Sequence, residues 1–295
     1  MAATDRAGAE EFEPHRRHLT GLAYRMLGSL AEAEDAVQEA YLRWHATDQG
    51  KVADARAFLS KTVTRLCLDQ LKSARVRRET YVGPWLPEPL LEEVGFAVDS
   101  AGEYAHDLSV ALMLALERLS PLERAAFLLH DVFDMDFAQV AEALGRGEAA
   151  CRQLAARARE HVQSARPRFP VKPDEGARLA EAFLTAARSG DAGALGRLLA
   201  TDATLHSDGG GKKRAALNVI RGRDKIAGFF AGLARKQVAT AAAIRVRQAR
   251  INGLPGFVTV EPDGTVQTIA LEIAGAEIAA IYVVRNPDKL RHVPV

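Results

Sequence analysis

Apolar residues recur every three or four positions along the first quarter of the chain, which is the spacing of a buried helix face. One series runs from Leu19 to Leu27 and a second from Ala33 to Trp44. A third continues from Ala57 to Leu71, and Asp54 stands in front of it, where its side chain can cap a helix. The pattern predicts helices throughout residues 11–79, with a break at Gly28-Ser29.

A second helical block follows between residues 108 and 167, and it contains a helix-turn-helix pattern. Ser120 and Glu123 flank Pro121-Leu122 in the arrangement typical of a helix start, with serine as the cap and glutamate three residues later. Farther along, Gly145 separates a short apolar helix from a second helix that begins near Gly147. Small alanines on this second helix would allow it to approach a groove closely.

The last block, residues 174–295, combines helices with strands. After two or three helices, the pattern changes to alternating or continuous apolar segments near 243–251, 256–262, 264–273 and 277–285. Asn252-Gly253, Asp263-Gly264 and Ala274-Gly275 separate these segments and are typical turn sequences. Helices followed by such a meander predict an α+β domain rather than a doubly wound one.

Proline-rich segments mark the boundaries between the blocks. Pro84, Pro87 and Pro89 exclude a helix interior, and the sequence RFPVKPDEG separates the second block from the third. We therefore predict domains over residues 1–80, 107–168 and 169–295, with a linker over 81–106. Trp85 and Leu86 are unusual in a plain spacer, because exposed apolar side chains usually dock on a surface.

Composition places the chain among ordinary globular proteins. Of its 295 residues, 48% are hydrophobic and 26% are charged, and the chain is long enough for two or three domains. No apolar run is long enough to span a bilayer. Cys67 and Cys151 both fall in helical patterns, so a disulfide framework is not expected. We expect a cytoplasmic protein that has no cofactor and no metal site, because no histidine has partners at metal-ligand spacing.

Charge is distributed unevenly although the net charge is only +1. Residues 61–78 carry six basic side chains against Asp69 alone, and residues 146–168 carry six arginines against Glu148 and Glu160. Residues 86–107, between these clusters, carry six acidic side chains and no lysine or arginine. Two separated basic clusters favour two surfaces that bind a polyanion, and solvated helix faces are the alternative.

A glycine-rich stretch, SDGGGKKR at residues 207–214, raises the possibility of a phosphate-binding loop. A Walker A loop needs a glycine five residues before its Gly-Lys pair and Ser or Thr after it. His206 and Lys213 occupy those two positions, so the pattern fails at both ends. Three consecutive glycines more often mark a bend where another backbone comes close. No nucleophile or second base accompanies Asp202, His206 and Asp208, so no catalytic set is predicted.

The segment EAEDAVQEAYLRW resembles the helix with which extracytoplasmic-function sigma factors bind core RNA polymerase. Two later segments resemble further parts of that family, in the same order along the chain. The segment RAFLSKTVTRLCLDQLKSARVRRE resembles the helix that engages the minus-ten promoter element. Residues 119–160 resemble sigma region four, which reads the minus-thirty-five element. The resemblance implies two all-α sigma domains and a protein that directs promoter-specific transcription. It also implies core RNA polymerase and promoter DNA as partners, with no membrane.

The resemblance assigns candidate residues to each interface. Candidate polymerase-binding residues are Glu34, Asp35, Val37, Gln38 and Glu39. Candidate DNA-binding residues are Lys61, Arg65, Lys72 and Arg75 in region two and Glu148, Arg152, Gln153, Arg157 and Arg159 in region four. Arginine and glutamine can read guanine and adenine edges, whereas the other arginines suit phosphates. Glu148 can accept from a cytosine amine or pair with Arg152 four residues on. Arg65 stands where the family usually has asparagine.

The last block resembles SnoaL-like domains of the cone-shaped nuclear-transport-factor fold, which one sigma subgroup carries as an extension. Three motifs of that subgroup are intact: WLPEP at 85–89, DGGGK at 208–212 and NPDKL at 286–290. We predict that the extension regulates the sigma domains in cis, without a separate anti-sigma factor. The candidate regulatory residues are Trp85, Leu86, Asp208, Gly209, Gly210, Gly211, Lys212, Asn286, Pro287, Asp288, Lys289 and Leu290.

Two other functions remain open at the level of the sequence. Cone-fold domains often contain isomerases or hydrolases, so the extension could be an enzyme, although the missing acid–base pair speaks against this. A helix-turn-helix repressor with a ligand-sensing C-terminal pocket is the other alternative. That reading leaves the match of residues 34–39 unexplained, and we therefore predict a sigma factor and not an enzyme.

Overall fold

The computed structural model describes residues 2–91, 107–164, 173–240 and 244–294. For residues 2–9, 73–79, 164, 173 and 237–240 it describes the backbone alone. The chain divides into two compact units, one made of residues 1–79 with 96–166 and the other of residues 80–95 with 167–295. No helix in the described parts is long and apolar enough to cross a bilayer.

The first three helices of the first unit are α1 (Ala2–Leu27), α2 (Leu30–His45) and α3 (Ala55–Glu79). Gly28 has a φ of +71°, and the Ser29 side chain caps α2 by accepting from the Glu32 N–H. Asp54 caps α3 as the sequence predicts, because its Oδ1 accepts from the Ala57 N–H at 3.0 Å. The three helices bury the predicted apolar series, including Leu19, Leu22, Met26, Trp44, Leu59 and Val63.

The same unit continues with α4 (Val110–Glu117), α5 (Pro121–Phe127), α6 (Phe137–Leu144) and α7 (Glu148–Ser164). A single wide turn of π-helix, Leu128–Val132, extends α5. Ser120 and Glu123 form the predicted capping box, in which each side chain bonds to the other residue's backbone N–H. Gly145 ends α6 with a φ of +62°, which confirms the predicted glycine turn between the two helices of the helix-turn-helix.

In the part of the second unit that the structure describes, three helices pack against one sheet. The helices are α8 (Pro173–Ser189), α9 (Ala192–Leu198) and α10 (Arg223–Thr240). The strands are β1 (Leu199–Asp208), β2 (Ile220–Arg221), β3 (Arg245–Ile251), β4 (Leu254–Val260), β5 (Val266–Ala274) and β6 (Glu277–Val284). In the described chain they form a six-stranded sheet in the order β2-β1-β6-β5-β4-β3. The predicted meander of β3 to β6 is antiparallel throughout, and β1 runs parallel to β6.

The core of the second unit lies between the helices and one face of the sheet. Phe183 of α8 and Phe230 of α10 meet edge to face, with ring centroids 5.1 Å apart. They pack in a cluster with every second residue of the central strands, including Leu205, Phe257, Leu271 and Ile281. This core carries the edge where β1 and β6 end, and both of those ends lead into sequence motifs.

Polymerase and DNA interfaces and the motif cluster

Acidic and amide side chains lie exposed along one side of α2, and we call this side the acidic face: Glu34, Asp35, Gln38 and Glu39. The apolar side of α2 is buried, so these side chains project into solvent. Glu39 is held by Arg43 one turn later, with 2.9 Å between Oε1 and Nε. Four of the five candidate polymerase-binding residues are therefore exposed on one side of the helix.

Val37 does not belong to the acidic face, which corrects its prediction as a polymerase-binding residue. Its side chain is 1% exposed and packs in the helical core. Leu42, which the prediction missed, is 53% exposed and lies four residues after Gln38 and seven after Asp35, hence on the same side of the helix. The signal was available in the sequence, because Leu42 falls outside the apolar series that leads to Trp44.

The candidate DNA-binding residues of α3 are not all free in this structure. Lys72 is exposed and pairs with Asp69 at 2.8 Å. Lys61 Nζ lies 2.6 Å from Glu142 Oε1 of α6. Arg65 donates from Nη2 to the Glu142 carbonyl at 3.0 Å and from Nε to the Ala143 carbonyl at 3.2 Å. The side chain of Arg75 lies outside the described residues.

The second helix of the helix-turn-helix, α7, presents an exposed polar face. Arg152 and Glu148 form the ion pair that the sequence left as an alternative, at 2.7 Å between Nη2 and Oε2. The Arg152 guanidinium also lies over the Phe137 ring, 5.1 Å from its centroid, so the first helix of the motif positions it. Gln153 and Arg157 are exposed beside it.

Arg159 differs from the other arginines of α7 because it is only half-exposed. Its Nε donates to Asp131 in the turn that follows α5. This contact ties α7 to the turn that follows α5. The predicted phosphate contact of Arg159 stays a prediction, and the guanidinium would have to be shared between that phosphate and Asp131.

Asp208, at the end of β1, is the centre of a buried cluster that joins all three sequence motifs. It is 0% exposed and accepts from the Tyr81 hydroxyl at 2.6 Å, the Leu86 N–H at 2.9 Å and the Gly210 N–H at 3.0 Å. Lys289 Nζ completes the set at 2.8 Å. A buried carboxylate is tolerated only when its oxygens are satisfied in this way.

Lys289 is equally well satisfied. Besides Asp208, its ammonium group donates to the Leu86 carbonyl. It also lies 4.3 Å from the ring centroid of Trp85 and 5.0 Å from that of Tyr81, so two aromatic faces cover it. Burial and the hydrogen bond to Asp208 raise the pKa of Tyr81 above its usual range. The tryptophan and leucine of the WLPEP motif are thus bound to the C-terminal domain.

The three glycines allow close backbone approach, as the sequence predicts. A Cβ on Gly209 would lie 2.1 Å from the Lys213 carbonyl oxygen, and one on Gly210 would lie 2.2 Å from Asn286 Nδ2. Gly210 and Gly211 also have φ values of +58° and +71°. The stretch is a tight turn against the NPDKL motif, and Lys212 is engaged with Asp288 at its surface.

The NPDKL motif forms a short 3-10 turn, Pro287–Lys289, that follows β6. Asn286 caps this turn by accepting from the Asp288 N–H at 3.1 Å, and it donates to the Tyr81 hydroxyl at 2.8 Å. Pro287 occupies the first position of the turn, where its missing N–H is not needed. Leu290 is buried behind it.

A second set of contacts fastens the chain just beyond WLPEP. The Leu90 N–H donates to Asn252 Oδ1 at 3.0 Å, and the Asn252 N–H donates back to the Leu90 carbonyl at 2.7 Å. His292 bonds to the Pro89 carbonyl at 2.7 Å, and Leu91 forms a bridge with Ile251 of β3. Residues 81–91, predicted as the start of a linker, therefore pack as part of the second unit. We call them the docked segment.

The described residues contain no group of three or more histidine, cysteine or acidic side chains that could hold a metal ion. Burial lowers the pKa of His206 to about 4, and its ring lies 5.4 Å from that of Tyr282. Tyr282 donates in turn to the buried Glu272. These side chains stack and bond to one another within the sheet.

Two family models define the class of protein to which this fold belongs. Residues 12–77 match Sigma-70 region 2, and residues 109–162 match Sigma-70, region 4. Both matches coincide with the helical unit described above. The predicted fold class, two helical sigma domains followed by an α+β SnoaL-like domain, is confirmed.

Relatives along the whole chain define the family more narrowly. The ECF RNA polymerase sigma factor SigJ of Mycobacterium tuberculosis is 40% identical, over 97% of this chain and 94% of SigJ. A probable ECF RNA polymerase sigma factor of the same species, SigI, is 31% identical over 94% and 92%. The crystal structure of SigJ matches with a TM-score of 0.75 and 36% identity, covering 97% of this chain and 99% of that one. The chain belongs to the extracytoplasmic-function RNA polymerase sigma factors, which bind core polymerase and direct promoter-specific initiation.

Proposed function

We propose that the acidic face of α2 is the surface that binds core RNA polymerase and that Leu42 is its apolar anchor. The face exposes carboxylates that suit a basic helical surface on the polymerase. Leu42 is a large apolar side chain, half exposed, on the same side of the helix as Asp35 and Gln38. An apolar residue surrounded by polar ones is the usual composition of the centre of an interface.

Leu42→Asp tests this role, with Leu217→Asp as a matched control because Leu217 is 65% exposed in the other unit. Leu42→Asp is expected to weaken binding to purified core polymerase by about tenfold or more, since central interface residues contribute at least ~1.4 kcal/mol. Fluorescence titration and co-elution on a sizing column measure the effect. Equal affinities for the two variants would contradict the role of Leu42.

We assign promoter contacts to α3 and α7 on the basis of residue chemistry. Lys61, Arg65 and Lys72 suit the backbone of the minus-ten element, whereas Arg152 and Gln153 suit base edges of the minus-thirty-five element. Gln153→Ala should reduce discrimination at one base pair by about 1–3 kcal/mol. Arg157→Ala should weaken binding evenly across sequences, as a lost phosphate contact does. A promoter library in run-off transcription separates the two patterns.

We also propose that the C-terminal domain regulates the sigma regions in cis, in the place of a separate anti-sigma factor. The observation that carries this proposal is the buried Asp208–Lys289 pair, which binds the backbone of Leu86 from both sides. The docked segment directly follows α3, the helix that ends region two. A change in the C-terminal domain that frees the docked segment therefore alters the chain that connects region two to region four.

Asp208→Asn and Lys289→Met each remove the ionic part of this attachment while keeping side-chain volume. Both are expected to change run-off transcription with core polymerase at least threefold and in the same direction. Glu277→Ala, at the exposed first residue of β6, serves as the control. Limited proteolysis shows whether each substitution frees the docked segment. Regulation in cis would be contradicted if the segment is free in both variants and both still transcribe as the wild type does.

A further inference from the structure

The structure assigns an additional role to Arg65 and Lys61, which lie at the seam between region two and region four. The last carbonyls of a helix have no partner within that helix. Arg65 donates to two such carbonyls, those of Glu142 and Ala143 in the last turn of α6. Its positive charge also faces the negative end of the helix.

An arginine is needed for this contact. The planar guanidinium group has enough donors and enough reach to satisfy two carbonyls at once. Lys61, one turn earlier on α3, adds an ion pair to the Glu142 carboxylate of the same turn. In the free chain, both of these side chains, which are assigned to the minus-ten element, are therefore occupied by α6.

The distance between promoter elements makes this contact incompatible with promoter binding. The minus-ten and minus-thirty-five elements are about 25 base pairs apart, which is about 85 Å of duplex. In the structure, α3 and α6 touch at about 3 Å. Because α3 is assigned to the first element and the helix-turn-helix to the second, both cannot be bound until α3 and α6 separate.

The seam also buries two charged groups that regain hydration on opening. Arg124 of α5 donates to the Met26 carbonyl of α1 at 2.6 Å, and Arg25 lies over the ring of Phe133. Both guanidinium groups are buried, and burial lowers the pKa of Arg124 to about 9 and that of Arg25 to about 10. A seam that dehydrates charged groups is more easily opened than an apolar one.

We propose that Arg65 and Lys61 act as a latch that holds the two promoter-reading regions together in the free chain, and that binding to polymerase and promoter releases it. The proposal rests on the promoter assignments made under the proposed function. Glu142 is 69% exposed, so the latch has the weak, salt-sensitive character of a surface contact and can be displaced by DNA phosphates.

A cross-link across the seam tests the latch without altering either latch residue. Ala57 of α3 and Gln139 of α6 line one cavity of about 210 Å³, so Ala57→Cys with Gln139→Cys can be joined by a short bis-maleimide. The native cysteines Cys67 and Cys151 are buried. The same double variant blocked with N-ethylmaleimide is the control. We expect the cross-linked chain to give at least tenfold less run-off transcript than the blocked chain, and equal transcript from both would overturn the latch.

Glu142→Ala tests the latch from the opposite direction and does not depend on the cross-link. Removing the Lys61 partner should lower the chain concentration needed for half-maximal transcription by up to about fivefold, the range of an exposed ion pair. Glu160→Ala, which also removes one exposed carboxylate from region four, controls for the change in charge. Identical responses of the two variants would overturn the proposal. A wild-type chain that gives no transcript with core polymerase would instead contradict the promoter assignments.

Discussion

Two lysine–carboxylate pairs in this protein have similar lengths and opposite surroundings. Lys289 lies 2.8 Å from Asp208 and is only 9% exposed, with a carboxylate that is wholly buried. Lys61 lies 2.6 Å from Glu142, whose side chain is 69% exposed. The first pair fastens the docked segment to the C-terminal domain, and the second joins α3 to α6.

The surroundings, and not the distance, determine what each pair can do. A buried pair exists only because additional donors and acceptors satisfy both charges, so losing either partner leaves an uncompensated charge. An exposed pair exchanges readily with water and salt ions. The comparison indicates that the docked segment stays attached unless the C-terminal domain itself changes, whereas the contact between α3 and α6 is readily reversible.

The strongest challenge to this comparison is Asp208→Ala. The substitution leaves the Lys289 ammonium group buried without its carboxylate, which we expect to lower the free energy of unfolding by about 3–5 kcal/mol. Urea denaturation monitored by tryptophan fluorescence measures the loss, because Trp85 lies against Lys289. Asp288→Ala is the matched control, since Asp288 pairs with exposed Lys212 and should cost less than about 1 kcal/mol. Similar losses for both would remove the distinction between buried and exposed pairs.

A smaller effect is expected from Gly210→Ala, which tests the tightness of the motif cluster. The new Cβ would lie 2.2 Å from Asn286 Nδ2, so Asn286 must move away from Tyr81. We expect a loss of about 2–4 kcal/mol in the free energy of unfolding. Gly253→Ala isolates the backbone strain, because Gly253 has a φ of +75° and open space at its Cβ position. The cluster is looser than described if the two variants are equally stable.

The pH dependence of the first unit tests whether the seam near the latch is truly buried. Burial, followed by repulsion from Arg56, lowers the pKa of His18 to about 3, against 6.5 in the unfolded chain. The unfolded state then binds more protons between these values, so stability falls as the pH falls below about 6.5. We expect His18 to contribute a loss of about 1 kcal/mol between pH 7.5 and 5.5. His18→Gln should abolish that part of the slope in urea titrations at the two pH values.

The smallest expected effect belongs to the latch. A double-mutant cycle of Lys61→Ala and Glu142→Ala should give a coupling energy of about 0.2–1 kcal/mol that declines between 50 mM and 500 mM salt. Thermal unfolding of the four chains measures it. A coupling of several kcal/mol that resists salt would mean that the pair behaves like the buried one and that the latch does not open readily.

Much of the fold could be predicted because its signals are local. Asp54 and Ser120 cap helices where the sequence places the caps, and Gly145 forms the turn of the helix-turn-helix. The predicted break at Gly28-Ser29 is also observed, with Ser29 as a cap that was not predicted. The strand β1 was not predicted. It pairs in parallel with β6, some seventy residues away, and this long-range partner determines its conformation.

The site could be predicted only in part. The motifs WLPEP, DGGGK and NPDKL were expected to cooperate, but Tyr81, Asn252 and His292 were missed because they act through partners distant in sequence. Val37 was assigned by its place in a motif, although its helical position makes it a core residue. Arg65 was assigned to DNA because its charge alone does not identify α6 as its partner.

Pulsed electron paramagnetic resonance tests the contrast between the fixed and the reversible contact most directly. One spin-label pair at the exposed residues Asp69 and Ala138 monitors α3 against α6, and another at Val82 and Leu217 monitors the docked segment. On forming the complex with core polymerase and promoter DNA, the first distance should lengthen by tens of ångströms while the second stays unchanged. An unchanged distance between α3 and α6, or a lengthened distance at the docked segment, would contradict the account.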